Sequence, residues 1–200
     1  MEQPKVVRSV LSPARAATRE RLVTSAIELA TEGGYDAVGL RQVAAHAGVS
    51  VPTVYQHVSS KDHLLVEALM ALGARSTEGL RRRPPRGHTP AERLGSVFDR
   101  ILREAARKPL LYQAVYRAYV ASAPVLAEVD GLAGFGPEKA RWIGEALRAG
   151  DTRGHTDDEI DSTARILSAL FLGTMIGVAA GRDVDEASAI LAEATHRLLP

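Results

Sequence analysis

The sequence predicts an all-α chain, and three observations carry that expectation. Apolar residues recur at three- and four-residue spacing in stretch after stretch. Side chains able to cap a helix stand just ahead of those stretches, and glycine or proline stands just behind them. Read from these starts and stops, the chain has about nine helices. The expected organisation is a flexible arm over residues 1–12, a three-helix unit over 13–60 and a larger helical part over 61–200.

The 200 residues are 46% hydrophobic, enough to bury a substantial core. No apolar run in the sequence approaches the ~20 residues needed to span a bilayer, and the N-terminus lacks the apolar centre of a signal peptide, so a cytoplasmic protein is expected. The absence of cysteine removes disulfides, zinc-thiolate sites and thiol redox chemistry. A formal net charge of +1 means that any affinity for nucleic acid must come from where the cations lie.

The first helix is expected from Pro13 to Glu32, burying Leu22, Ala26, Ile27 and Ala30 and stopped by Gly33 and Gly34. A short second helix follows, with Leu40, Val43, Ala44 and Ala47 on one face and Gly48 behind it. Ser50 stands where an N-cap is needed and Pro52 falls in a first turn, so a third helix covers Val51 to His57. Two short helices joined through a glycine form the helix-turn-helix pattern, with Ala44 allowing close approach and Val49 and Val54 filling the angle. The third helix offers Thr53, Tyr55, Gln56 and His57, whose hydroxyl, amide and imidazole groups suit phosphates and base edges. Ser60 caps the next helix, and Lys61 beside its free amides suits a phosphate. An ordinary helical hairpin is the competing reading of the pattern alone.

A fourth helix from Lys61 to Thr77 carries Leu64, Leu65, Leu69 and Leu72. The run Arg81, Arg82, Arg83, Pro84, Pro85, Arg86, Gly87 is expected to be non-helical, either a solvated loop or an auxiliary phosphate contact. Thr89 and Glu92 form a capping box that opens a fifth helix to Arg107, with Leu94, Val97, Phe98, Ile101 and Leu102 apolar. After Lys108 and Pro109 a sixth runs from Leu110 to Ser122. Its Tyr112, Tyr116 and Tyr119 make a one-sided stripe, which either packs the core or lines a cavity. Pro124 to Pro137 reads as a helical turn and a glycine-rich loop, with Phe135 a loop anchor or a lid. A seventh helix, Glu138 to Ala149, turns Trp142, Ile143 and Leu147 inward. Capping boxes at Thr156 to Glu159 and Asp183 to Glu186 open the last two helices, about 157–181 and 184–199. Ile166, Leu170, Met175 and Val178 on one, with Ile190, Leu191, Ala194 and Leu198 on the other, exceed what a hairpin needs and suit a homodimer through these helices, with Gly173, Gly177, Ala179 and Ala180 permitting close approach.

The stretch from Thr18 to Leu65, with EGGYDAVGL, VAAHAGVS and TVYQHVSSKDHLL, resembles the DNA-binding domain of the TetR family of bacterial transcriptional regulators. That resemblance implies double-stranded operator DNA as partner. Thr53, Tyr55, His57 and Lys61 match the family's usual contact positions, with Arg41 and Gln42 at the start of the second helix, and Thr18 and Arg19 approaching the backbone. Ser50, Val51 and Pro52 form the groove-facing end of the recognition helix, and Gln56 completes the set. Gly39, Pro52 and Val58 depart from the usual capping Thr, Gly and Phe. Lys108 to Val120 and Ala127 to Asp130 are similar to the KstR kind of TetR regulator, which represses steroid-catabolism genes and is released by acyl-CoA thioesters. The glycine-rich segment is extra relative to that pattern.

The expected function is therefore a ligand-responsive repressor released from a palindromic operator by a small, largely apolar effector. Its pocket is expected at Phe98, Leu102, Tyr112, Tyr116, Tyr119, Trp142, Phe171 and Met175. A constitutive DNA-binding regulator without effector is the other reading. No Walker loop, HExxH, GxSxG or His-carboxylate cluster at ligand spacing points to an enzyme, a metal or a cofactor.

Overall fold

A computed structural model describes residues 13–126 and 137–199, in which nine helices and no strand are found. They are α1 (Pro13–Ala37), α2 (Leu40–His46), α3 (Val51–Tyr55), α4 (Lys61–Arg82), α5 (Pro90–Ala106), α6 (Pro109–Leu126), α7 (Pro137–Leu147), α8 (Asp157–Ala179) and α9 (Val184–Leu198). The expected arm at 1–12, the segment Ala127 to Asp130 and most of the glycine-rich loop with Phe135 lie outside the described residues.

Helix starts follow their caps. The hydroxyls of Ser50, Ser60, Thr89 and Thr156 accept from the amides of Thr53, His63, Glu92 and Glu159, and the Asp183 carboxylate accepts from those of Asp185 and Glu186. Each satisfies donors that the first turn leaves without partners. At Thr156 the box is closed by Glu159, whereas Glu92 accepts from His88 N at 2.7 Å. Helix ends moved more. α1 bends where Gly34 adopts φ 67 and ψ −159, and Tyr35 to Ala37 turn onward from it. α4 continues through Arg82, because nothing in Arg81 or Arg82 stops a helix and the prolines begin only at Pro84.

α1 packs on α2, α4 and α6, α6 also on α4 and α8, and α5 on α7, α8 and α9, so α6 joins the N-terminal helices to the rest. α8 is, by length and composition, long and apolar enough to cross a membrane, contrary to the expectation from the sequence. Here it opens with Asp157, Asp158 and Glu159 and turns Ile160, Ala164, Leu167 and Met175 into the core. Part of the expected dimer face is also spent inside the chain, since Met175, Val178 and Leu191 are buried. Ile166 remains 51% exposed, and Leu170, Ile190, Ala194 and Leu198 are half-buried.

Arg93 of α5 is 3% exposed and forms no ion pair among the described residues. Its guanidinium donates to the carbonyls of Leu147 and Asp151, both at 2.8 Å, tying α5 to the C-terminal end of α7, where a cation is favoured. Gly150 leaves room for it: a Cβ there would stand 3.1 Å from the guanidinium.

Candidate nucleic-acid interface and ligand cavity

The helix-turn-helix is held from within. Val43, Ala44, Val54 and Val58 are buried between α2, α3 and the end of α1, so Val58 fills a core position in the turn after α3. Gly48 takes φ 65, the left-handed conformation that closes α2. α3 then presents Tyr55, 60% exposed, with Pro52 and Gln56 also exposed and Val51, Thr53 and His57 half-buried. Ser50 and Thr53 hydrogen-bond each other at 2.8 Å, so both hydroxyls help to hold the start of this helix. Arg41 and Gln42 are exposed on α2. Gln42 folds back over the uncapped Gly39, where any Cβ would meet its side-chain oxygen.

Two of the expected N-terminal positions meet partners within the chain. Arg19 is engaged by Glu67 of α4, which it meets through two guanidinium nitrogens, Nε at 2.8 Å. Glu67 also lies 2.9 Å from His63 Nε2. Arg19 therefore clamps α1 to α4 rather than offering a free cation. Thr18 donates to Ala14 O within its own helix. Arg15, by contrast, reaches the Gln56 carbonyl at 3.2 Å and supports the end of the recognition helix from α1.

Tyr35 sits at the junction of these parts. Its hydroxyl donates to Asp62 at 2.6 Å, which together with burial raises the phenol pKa. Lys61 Nζ lies 3.6 Å from the ring centroid and the Arg117 guanidinium carbon 3.9 Å from it. Two cations that near one centroid would overlap on a single face, so they hold opposite faces of the ring. Tyr35 thus joins Lys61, at the start of α4, to α6.

α4 and α6 also wall a cavity of about 290 Å³ with α5, α7 and α8. Of the eight expected positions, Tyr112, Tyr116, Tyr119, Trp142, Phe171 and Met175 line it. Phe98 and Leu102 do not: both are buried in the core, Phe98 stacked behind Phe171 with centroids 5.0 Å apart and edge-on to Trp142 at 5.9 Å. From α5 it is Ile101, one residue round the helix, that reaches the wall. α4 supplies Leu69, Met70, Leu72, Gly73, Ser76 and Thr77, which the sequence reading missed because their apolar members serve equally well as core. Burial raises the pKa of Tyr116, with Tyr112 and Tyr119 adding to it, so the phenol stays protonated. Among the described residues neither Tyr112 nor Tyr116 has a hydrogen-bond partner for its hydroxyl.

Comparison with known proteins agrees with this architecture. Residues 22–68 match the family described as bacterial regulatory proteins, tetR family. The chain is 37% identical over 168 residues to the HTH-type transcriptional repressor KstR of Rhodococcus jostii, covering 82% of this chain and 74% of that one. A TetR transcriptional regulator from Rhodococcus sp. RHA1 superposes with a TM-score of 0.71 at 27% identity, over 93% of this chain and 97% of the other. FadR of Thermus thermophilus, a TetR-family repressor solved with lauroyl-CoA, shares the fold with a TM-score of 0.69 at 24% identity, over 91% and 95%.

Proposed function

The chain belongs to the TetR family of bacterial transcriptional regulators, and from that premise we propose that it is a ligand-responsive repressor, released from a near-palindromic operator when a small, largely apolar effector enters the cavity. The observation that carries this reading is the course of α4. It runs without a break from Lys61, beside the recognition helix, to Ser76 and Thr77 in the cavity wall. The fifteen-residue step from Lys61 to Ser76 is about 22 Å of helix.

On this reading residues 13–60 form the DNA-reading unit and 61–200 the effector-binding and dimerisation part. Tyr55, Gln56, Thr53, His57, Lys61, Arg41 and Gln42 contact the operator, with the α3 start at Ser50, Val51 and Pro52 nearest the base edges. Two copies pair through α8 and α9 around Ile166, Leu170 and Ile190, which sets the spacing of the two recognition helices. An effector that holds α4 and α6 apart changes that spacing. Tyr35, gripped by Lys61 of α4 and Arg117 of α6, carries the same displacement to the reading unit. Release requires that the effector bind the displaced state more tightly than the DNA-competent one.

The steroid or acyl-thioester class implied by the KstR resemblance suits this cavity, because its wall is mostly apolar and two phenols remain to meet a carbonyl or hydroxyl. A constitutive regulator would have a filled core here. The test separates the two halves of the reading: Tyr55→Phe weakens operator binding by about fivefold, roughly 1 kcal/mol, without changing dimerisation or effector affinity. Tyr116→Phe keeps DNA binding and loses several-fold in effector-induced release. Unchanged DNA binding in the first variant removes the Tyr55 hydroxyl from the contacts, and an unchanged ligand response in the second removes Tyr116 from the site.

A further inference from the structure

The wall of the apolar cavity is unevenly covered. Tyr112, Tyr116, Ser168 and Met175 are buried, and the rest of the wall is half-buried, with one exception. Gly73 of α4 is exposed. The wall therefore meets solvent at a residue with no side chain, between Leu69 and Met70 one turn before it and Ser76 and Thr77 one turn after.

Nothing in the fold asks for glycine at this position. A Cβ there would meet no atom within 4 Å, and the backbone is not in the left-handed region. Alanine is the better helix former, so neither packing nor propensity accounts for the bare backbone. The Thr77 hydroxyl donates to the Gly73 carbonyl at 3.0 Å, which turns that side chain back along α4. The cavity has a second border, at Ser76 and Ile101, with an arginine-lined groove between the ends of α4 and α5. An apolar molecule arriving that way would strip water from Arg82, Arg100 and Arg107 without pairing them, which costs free energy. Over Gly73 it meets no charged wall residue.

We propose that Gly73 is the doorway of the cavity: the effector passes over bare α4 backbone there, and the missing side chain sets how fast it enters and leaves. The inference rests on the effector reading above and adds the route. Because α4 is not among the helices proposed to pair, the doorway stays open in the dimer, and an effector reaches the cavity without the subunits parting.

The test puts a side chain in the opening. A long side chain on a helix lies back over the preceding turn, so Gly73→Phe directs its ring toward Leu69 and Met70. Dodecanol is the probe, followed by stopped flow through the emission of Trp142, the single tryptophan and a wall residue. Expected in Gly73→Phe is a slowing of association and dissociation together, by about tenfold or more, with affinity kept within about threefold. Gly73→Ala shows a smaller slowing of the same kind. Gly95→Ala is the control, since Gly95 is equally free of neighbours and lines neither hollow; its rates stay native, although both alanines raise the melting temperature by about 2 °C. Native rates in Gly73→Phe, or a loss of affinity without matched slowing of dissociation, overturn the doorway. So does dodecanol that leaves Trp142 of the native protein unperturbed, because an open mouth on an apolar cavity admits it. Anisotropy of labelled operator judges the effector reading separately. Dodecanol that enters at gated rates but leaves the operator bound counts against that reading and not against the doorway, whereas release of DNA at the native rate from Gly73→Phe keeps the reading and removes the doorway.

Discussion

The reading unit and the cavity are built by opposite means. From α1 to the start of α4 the helix boundaries are set by neighbours in sequence: Ser50 caps the amide three residues on, Gly48 closes α2, and Ser60 opens α4 in the same way. The cavity has no such local grammar. Its wall draws on α4, α5, α6, α7 and α8, and the Arg93 clamp beside it spans 54 residues to reach Leu147. A unit that must present one fixed surface to DNA can be specified residue by residue, whereas a hollow exists only once separate helices are held apart. The difference teaches that a substitution in the first region acts mainly on its own turn, and one in the second acts on how helices stand to each other.

The largest expected effect tests the long-range side. Arg93→Ala leaves two carbonyls without their donor and removes a buried stem, and should cost about 3 kcal/mol in urea unfolding. A loss below about 1 kcal/mol would mean that the α5–α7 clamp is dispensable. Gly48→Ala tests the local side. No atom lies within 4 Å of the added Cβ, so the cost is the left-handed backbone alone, about 1 kcal/mol. Its effect should be confined to the reading unit, with ligand affinity unchanged. Hydrogen exchange that loosens α6 as much as α2 and α3 would break the contrast.

The smallest effect is expected from pH. The Thr156 amide and hydroxyl hold the Glu159 carboxylate below the ordinary range. Its folded pKa lies below its unfolded one, so its contribution is fully present above the unfolded value and is lost as pH falls through the folded one. Glu159→Gln should therefore lower stability slightly at pH 7, where the carboxylate's contribution is present, and change it least in acid below the folded pKa, so that the acid limb flattens. An unchanged acid limb would show that the box does not titrate with folding.

Legibility in the sequence followed the same division. Caps at Ser50, Ser60, Thr89, Thr156 and Asp183 were readable because a cap and its amide are two or three residues apart. The aromatic stripe of α6 was readable as a stripe, and six of eight expected lining positions do border the cavity. Phe98 and Leu102 were misplaced because an apolar residue on a helix face has the same pattern whether it meets a void or another side chain. The Arg19–Glu67 pair was not legible for a related reason: the two residues are 48 apart, and no periodicity connects them.

What the sequence by itself determined was the all-α class, where each helix begins, and the helix-turn-helix with its exposed Tyr55. These depend on hydrogen bonds and hydrophobic spacing that act within one or two turns. Only the tertiary structure decided that Arg19 and Lys61 are held by Glu67 and Tyr35, that Met175, Val178 and Leu191 turn inward, and that an arginine-lined groove opens beside an apolar cavity. Those outcomes depend on the distance and rotation between helices far apart in the chain, which close packing of the whole core sets and no local pattern encodes.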